Sequence, residues 1–245
     1  MKNIITCLSL IFMSQMTFGQ NYDELKILYA DGAYKKLVAK AIKITENDNS
    51  KKEVPPYIWA AKGLHKIHLS GDPGERYKNA YKDAIKYLGK GVKYDLKIND
   101  GATIADEEFV DFVEEFQMSL LTRIRNDVDA GQARKAYSWT VKYNKITAHL
   151  VGSKYLAGAC KFLDSDPGTS RALWIEADNL LKEVTSIEGW GEADKNMFMY
   201  GVLYSADALK NKRQKDKAKE LLNKVAQFFE EDEIWKEKYD EIVNS

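Results

Sequence analysis

The chain has little cysteine, little proline and no surplus of charge. Its 245 residues include two cysteines and four prolines, and 37 basic side chains balance 37 acidic ones. A balanced charge argues against a general nucleic-acid binder and against a protein that binds anionic membranes, because both need a basic surplus. Only Cys160 lies beyond residue 19. It is expected to be a small buried side chain, with a reactive or intermolecular thiol as the alternative.

A long apolar run occurs only at the N-terminus. The apolar run 4–13 follows a basic residue, and Thr17 and Gly19 place small side chains at the two positions that a signal peptidase reads. We expect residues 1–19 to be a cleaved export signal of a bacterial protein, because the run is too short for a stable membrane span. A retained membrane anchor is the alternative. The mature chain, residues 20–245, is then expected in the periplasm without membrane insertion, or secreted or associated with the outer membrane.

Alternating strand patterns are also lacking, and helical periodicity runs through the chain. The clearest apolar stripe lies on one long helix, at Phe109, Phe112, Val113, Phe116, Leu120 and Leu121. Three prolines stand where helices would begin, at Pro56, Pro73 and Pro167. The pattern predicts about five antiparallel helical hairpins and a last charged helix over residues 232–243.

A short pattern recurs at a regular distance. Ala177 and Ala218 each begin the pattern A-x-x-L-L-x-x-V, 41 residues apart, and Ala136 lies 41 residues before Ala177. Ala84 lies a further 52 residues back. Such spacing is typical of stacked helical hairpins, because one hairpin cannot bury its apolar face alone. The sequence therefore predicts an all-α fold built from repeated helix pairs.

Two further patterns lie on the predicted first helices of such pairs. Trp59, Lys62 and Gly63 form W-x-x-K-G, and Gly201 and Tyr204 form G-x-x-Y. Together with the four alanines, these patterns resemble the helix-pair signature of the tetratricopeptide-repeat proteins, although the spacings exceed that family's length of about 34 residues. The resemblance implies a right-handed superhelix with a C-terminal capping helix, in one domain spanning the mature chain. It also implies a concave groove for a partner.

Aromatic side chains are the best binding candidates, since they combine a large apolar area with a polar tip. The chain has 5 tryptophans and 14 tyrosines, most of them at the spacing of a helical core. Trp190, between Gly189 and Gly191, is predicted to be exposed in a loop, with packing onto the next hairpin as the alternative. Trp59 and Tyr204 are the other two residues predicted to bind a partner in the groove.

Other candidate sites are weaker. Residues 95–106 form a connection longer than a simple helix link needs, which indicates a functional loop or else a solvated linker. His65 and His68 share a helix face but lack a third ligand, so packed or exposed histidines are the preferred interpretation over a metal site. The sequence contains no complete nucleophile, phosphate-loop or calcium-loop motif. No catalytic residue, metal or cofactor is predicted.

These observations favour a non-catalytic interaction or scaffold protein of the bacterial cell envelope. Its expected partner is a protein or peptide bound in the concave groove, and no nucleic acid is expected. The alternative is a carbohydrate-binding envelope protein, and an envelope enzyme with a dispersed acidic site ranks last. The sequence leaves the oligomeric state open.

Overall fold

The computed structural model describes residues 22–244. Within this range the chain forms eleven α-helices, two short 3-10 helices and no β-strand, which confirms the all-α prediction. The predicted export signal, residues 1–19, lies outside the described residues. That signal therefore stays a prediction.

The helix boundaries follow the local signals in the sequence. In chain order the helices are α1 (Asp23–Ala30), α2 (Tyr34–Glu46), α3 (Val54–Leu69), α4 (Ala80–Ile98), α5 (Glu107–Asp129), α6 (Ala133–Tyr143), α7 (Val151–Leu163), α8 (Pro167–Leu181), α9 (Glu192–Asn211), α10 (Lys215–Val225) and α11 (Glu233–Asn244). The 3-10 helices are Glu75–Tyr77 and Ala226–Phe228. The first of these lies just before α4, which begins at Ala80.

Two aspartates cap the helices that they precede. The Asp106 side chain accepts a hydrogen bond from the backbone N of Glu108 at 2.9 Å, and Asp166 accepts one from the N of Thr169 at 3.2 Å. Each bond satisfies one of the amide groups that a helix start leaves unpaired. Pro167 then occupies the first turn of α8, where its missing N–H costs nothing.

Neighbouring helices pack mainly with their partners in sequence. The contacting pairs include α1 with α2, α3 with α4, α5 with α6, α7 with α8, and α9 with α10. Contacts between α2 and α3 and between α6 and α7 join successive pairs, and α9 packs against both α7 and α5. Helix α11 rests on α9 and α10 at the end of the chain.

The repeated alanines are core residues. Ala84, Ala136, Ala177 and Ala218 are all fully buried, as expected for small residues at helix contacts. The core consists of two clusters, one built mainly from α1 to α6 and one mainly from α7 to α11. Cys160 is buried and free, which confirms its predicted environment, and burial raises the pKa of its thiol to about 12.

The backbones of helices α7 and α9 approach each other closely. Gly152 of α7 faces Gly201 of α9, and a methyl group added to Gly201 would overlap the carbonyl oxygen of Gly152. A methyl group on Gly152 would likewise overlap the backbone of Phe198. The crossing therefore requires glycine on both helices, for reasons of space.

Within residues 22–244, no helix is both long and apolar enough to cross a membrane.

Candidate functional site

Two loops that the sequence singled out meet at one cavity of about 210 Å³. The first is the α4–α5 connection, which was predicted at 95–106 but spans residues 99–106, because α4 continues to Ile98. The second is the turn before α9, residues 189–191. Helix α5 and the α6–α7 connection complete the walls. We call this space the loop cavity.

A buried carboxylate holds the first loop. Asp95, at the end of α4, is fully buried and accepts hydrogen bonds from the backbone N of Thr103 at 3.1 Å and of Ile104 at 3.0 Å. The Asn99 side chain donates a third bond to Asp95 at 3.3 Å. These bonds fold the connection back onto the end of α4. The loop is therefore held in one position by the helix that precedes it.

Trp190, the aromatic residue of the second loop, is partly exposed and packed on one side. Its ring stacks on His149, with centroids 4.0 Å apart and planes 15° apart, and Phe198 lies 5.9 Å away. Burial lowers the pKa of His149. The Glu114 carboxylate of α5 accepts a hydrogen bond from the backbone N of Glu192, which ties the loop to α5. Both sequence interpretations of Trp190 thus hold in part.

A buried polar group lies behind this loop. Asp194 on α9 accepts hydrogen bonds from the Tyr143 hydroxyl at 2.8 Å and from the Thr147 hydroxyl at 2.7 Å. Burial raises the pKa of Asp194 to about 6, against the lowering effect of these two bonds, and the nearby Glu114 carboxylate raises it further. The same burial raises the pKa of Tyr143. Sequence analysis missed Asp194, because nothing local distinguishes it from a surface aspartate.

The raised pKa of Asp194 predicts that the stability of the fold depends on pH. Its folded pKa of about 6 lies above the ordinary value of 3.8, so the folded chain holds this proton more tightly than the unfolded chain. The contribution of this group to the free energy of unfolding is therefore greatest below about pH 4 and is lost as the pH rises through about 6. We expect Asp194→Asn, which keeps an acceptor oxygen but cannot ionise, to remove that loss, up to about 3 kcal/mol.

Urea denaturation of both chains between about pH 4 and pH 7.5 measures this effect. The difference between the two free energies isolates Asp194 from the other titrating groups. A difference that does not change across this range contradicts the prediction.

Trp59, predicted to bind a partner, is a core residue of α3 with an exposed fraction of 3%. Tyr29 and Phe109 pack edge-on against it at centroid distances of 5.5 and 5.9 Å. The Lys62 ammonium lies 4.6 Å from the Trp59 ring, and burial lowers the pKa of this lysine. A partner can reach Trp59 only if this packing opens.

Tyr204, the third predicted residue, joins α9 to α5. It is partly exposed, and its hydroxyl donates a hydrogen bond to the Asp129 carboxylate at 2.6 Å. Burial, and then Asp129, raises the pKa of Tyr204. One turn earlier, Tyr200 packs its ring against the Arg125 guanidinium at 3.6 Å. The three predicted residues thus occupy three different settings, and binding at each of them stays a prediction.

The two histidines that share a face of α3 pack against aromatic rings. His65 is buried beside Phe116, with ring centroids 4.9 Å apart, and burial lowers its pKa to about 4. His68 lies 4.9 Å from Tyr81. In residues 22–244 no group of three or more His, Cys, Asp or Glu side chains is placed to hold a metal ion.

Sequence analysis also missed a groove of about 710 Å³ beside α4. Among the described residues its walls include seven lysines and no acidic side chain: Lys82, Lys86, Lys90, Lys93, Lys97, Lys142 and Lys145. The first five recur along α4 at intervals of 4, 4, 3 and 4, which places them on one helix face. This spacing of lysines is the sequence pattern from which the groove could have been predicted. We call it the lysine groove.

Comparison with known proteins adds no family. No model of a protein family matches the chain, and neither does any curated protein. The resemblance to tetratricopeptide-repeat proteins therefore stays a prediction.

Proposed function

We propose that this chain is a non-catalytic interaction protein of the bacterial cell envelope, which binds a partner protein or peptide. The observation that carries the proposal is that the two loops meet at the loop cavity, where Gly189 and Gly191, the neighbours of Trp190 in the chain, form part of the wall. Because His149 already supports one face of Trp190, the indole is held in place before a partner arrives. A fixed aromatic side chain buries apolar area at a small cost in conformational entropy.

The proposed architecture is a right-handed superhelix of about five antiparallel hairpins, with α11 as its cap. The contacts between consecutive helices and the burial of the four repeated alanines support it. In such a superhelix the first helices of the pairs line a concave groove, which we propose as the partner surface. We further propose that residues 20–245 form one domain, exported to the periplasm under the direction of residues 1–19.

The polar groups near the loop cavity are consistent with a structural use. Asp194 bonds to Tyr143 and Thr147, and Asp95 bonds to the loop that follows it. Each carboxylate thus joins two segments of the chain. We therefore assign them to holding the loops rather than to a reaction.

A carbohydrate is the second candidate ligand. The observation that favours it is the partly exposed indole of Trp190, a flat aromatic ring that His149 supports on one face. Sugar rings pack their apolar faces on such surfaces.

Affinity capture from a cell-envelope extract tests the proposal. The bait is the mature chain, residues 20–245, compared with Trp190→Ala and with a matched control, Ile175→Ala. Ile175 is also an exposed apolar side chain, 55% exposed, but lies on α8. We expect the mature chain to capture a small set of proteins. The captured amount of these proteins should fall about tenfold or more with Trp190→Ala, as for a central interface residue, and should not change with Ile175→Ala.

Equal capture by all three baits would contradict a binding site at Trp190. If no protein is captured, a thermal-shift screen with oligosaccharides follows. A melting-temperature increase that Trp190→Ala abolishes would then favour the carbohydrate candidate.

A further inference from the structure

The lysine groove has charged walls and an apolar floor. Along α4, Lys82, Lys93 and Lys97 are exposed, while the floor is formed by aliphatic side chains such as Leu96, which is 45% exposed. Gly89 brings α4 close to the α6–α7 connection, since a methyl group there would lie 3.0 Å from the Lys145 carbonyl oxygen. The groove is thus a built feature of the helix packing.

Asp83 stands beside Lys82 on α4, but the charged side chains that line the groove among the described residues are all lysines. In the part of the chain that the structure describes, no carboxylate lies within 4.0 Å of the ammonium group of any of its seven lysines. Lys142 is partly buried, and burial together with Lys82 and Lys145 lowers its pKa. Seven lysines gathered in a chain of zero net charge create a local positive potential that favours an anionic partner.

The shape of the groove limits the chemistry of that partner. Among the residues that the structure describes, its walls contain no arginine, which is the preferred residue for bidentate phosphate recognition, and no aromatic ring on which a nucleic-acid base can stack. Its aliphatic floor instead needs an apolar surface on the ligand. The five lysines of α4 extend over about 22 Å, at 1.5 Å per residue, which is the length of about four helical turns of a partner.

We propose that the lysine groove binds an acidic amphipathic helix of a partner protein. Apolar side chains of that helix contact the floor, and its Asp and Glu side chains pair with the lysines. The groove adjoins the loop cavity, because Val92, Leu96 and Ala148 line both. The inference rests on the proposed function in taking the partner to be a protein, and it adds the chemistry of the bound segment.

Fluorescence anisotropy with the full mature chain and a labelled synthetic peptide tests this inference. The probe is a helix-forming peptide of about 18 residues, with leucine on one face and glutamate on the flanks. Its matched control carries glutamine in place of every glutamate. We expect the glutamate peptide to bind at least about tenfold more tightly than the glutamine peptide, and its affinity to fall as salt rises.

Matched variants locate the binding. Lys82→Gln, Lys93→Gln and Lys97→Gln are combined in one chain, and Lys212→Gln, Lys215→Gln and Lys219→Gln are combined in the control. Both chains lose three positive charges, and glutamine has nearly the helix propensity of lysine. We expect the groove variant to weaken peptide binding about tenfold and the control variant to change it less than about twofold. Leu96→Ser, which removes part of the floor, is expected to weaken binding as well.

Three results would overturn the inference. The first is the absence of peptide binding. The second is an equal loss of peptide affinity in both triple variants, which would indicate attraction by overall charge rather than binding in the groove. The third is that polyphosphate, single-stranded DNA or anionic vesicles bind as tightly through the same lysines. Capture that depends on Trp190 together with a failed peptide assay leaves the proposed function intact and removes only the acidic helix. Peptide binding with no Trp190-dependent capture keeps the acidic helix as a partner and removes only the binding site at Trp190.

Discussion

The substitution Gly201→Ala is expected to lower the free energy of unfolding by about 3 kcal/mol. The added methyl group would overlap the carbonyl oxygen of Gly152, which is a backbone atom of the facing helix. A side chain can rotate away from such a clash, but a helix backbone cannot. Helices α7 and α9 would have to separate, and the buried Phe198 on the same helix would lose part of its packing.

Gly168→Ala is the matched control for this prediction. Gly168 lies in the first turn of α8, and among the described residues no atom beyond the adjoining part of the same helix lies within 4 Å of a methyl group built there. Alanine also favours a helix over glycine by up to about 1 kcal/mol, so this variant is expected to be as stable as the natural chain or slightly more stable. Urea denaturation of the three chains measures both effects. Equal stabilities of the Gly201 and Gly168 variants would show that α7 and α9 do not cross this closely.

The second large effect is expected for Trp59→Ala, which should lower the free energy of unfolding by about 3–5 kcal/mol. Trp59 is buried in the packing of α1, α3 and α5, through Tyr29 and Phe109. Its ring nitrogen has no hydrogen-bond partner among the described residues, so the loss is one of apolar contact and of filled volume. Trp59→Phe, which leaves a smaller cavity, is expected to cost less.

Trp190→Ala provides the comparison, because Trp190 is partly exposed and contacts His149 on one face. We expect it to cost about 1 kcal/mol of stability, within the usual range for single substitutions, while it removes partner binding. Thermal and urea unfolding of the two alanine variants separate a packing role from a binding role. If Trp59→Ala is stable but loses the partner, Trp59 belongs to the binding surface as the sequence predicted.

The helices themselves were predictable because their signals are local. The sequence predicts a last helix over residues 232–243, and the structure has it as α11, at Glu233–Asn244. The cap at Asp166 and the proline after it mark the start of α8 in the same way. Apolar spacing, capping residues and helix-breaking residues act within a few residues of one another, so a single sequence is enough to predict the helices from them.

Burial of the repeated alanines was also predictable, whereas the surroundings of the aromatic residues were not. Periodicity indicates which helix face packs, but it does not say how completely another helix covers a side chain such as Trp59, which was predicted to bind a partner. Trp59 is 3% exposed, while Trp190 remains partly open, and the sequence patterns around them do not rank the two. Exposure depends on helices distant in sequence, such as α1 and α5 around Trp59.

The sequence by itself therefore determined that this protein is all-α, where most of its helices begin and end, and that Cys160 and the four alanines are buried. Only the tertiary structure decided that residues 99–106 and 189–191 share one cavity, that Asp194 is buried behind it, and that a stripe of lysines on α4 lines a groove. The physical reason is that helix formation depends on neighbours along the chain. A cavity, a buried carboxylate and a local concentration of charge instead depend on which segments meet in space.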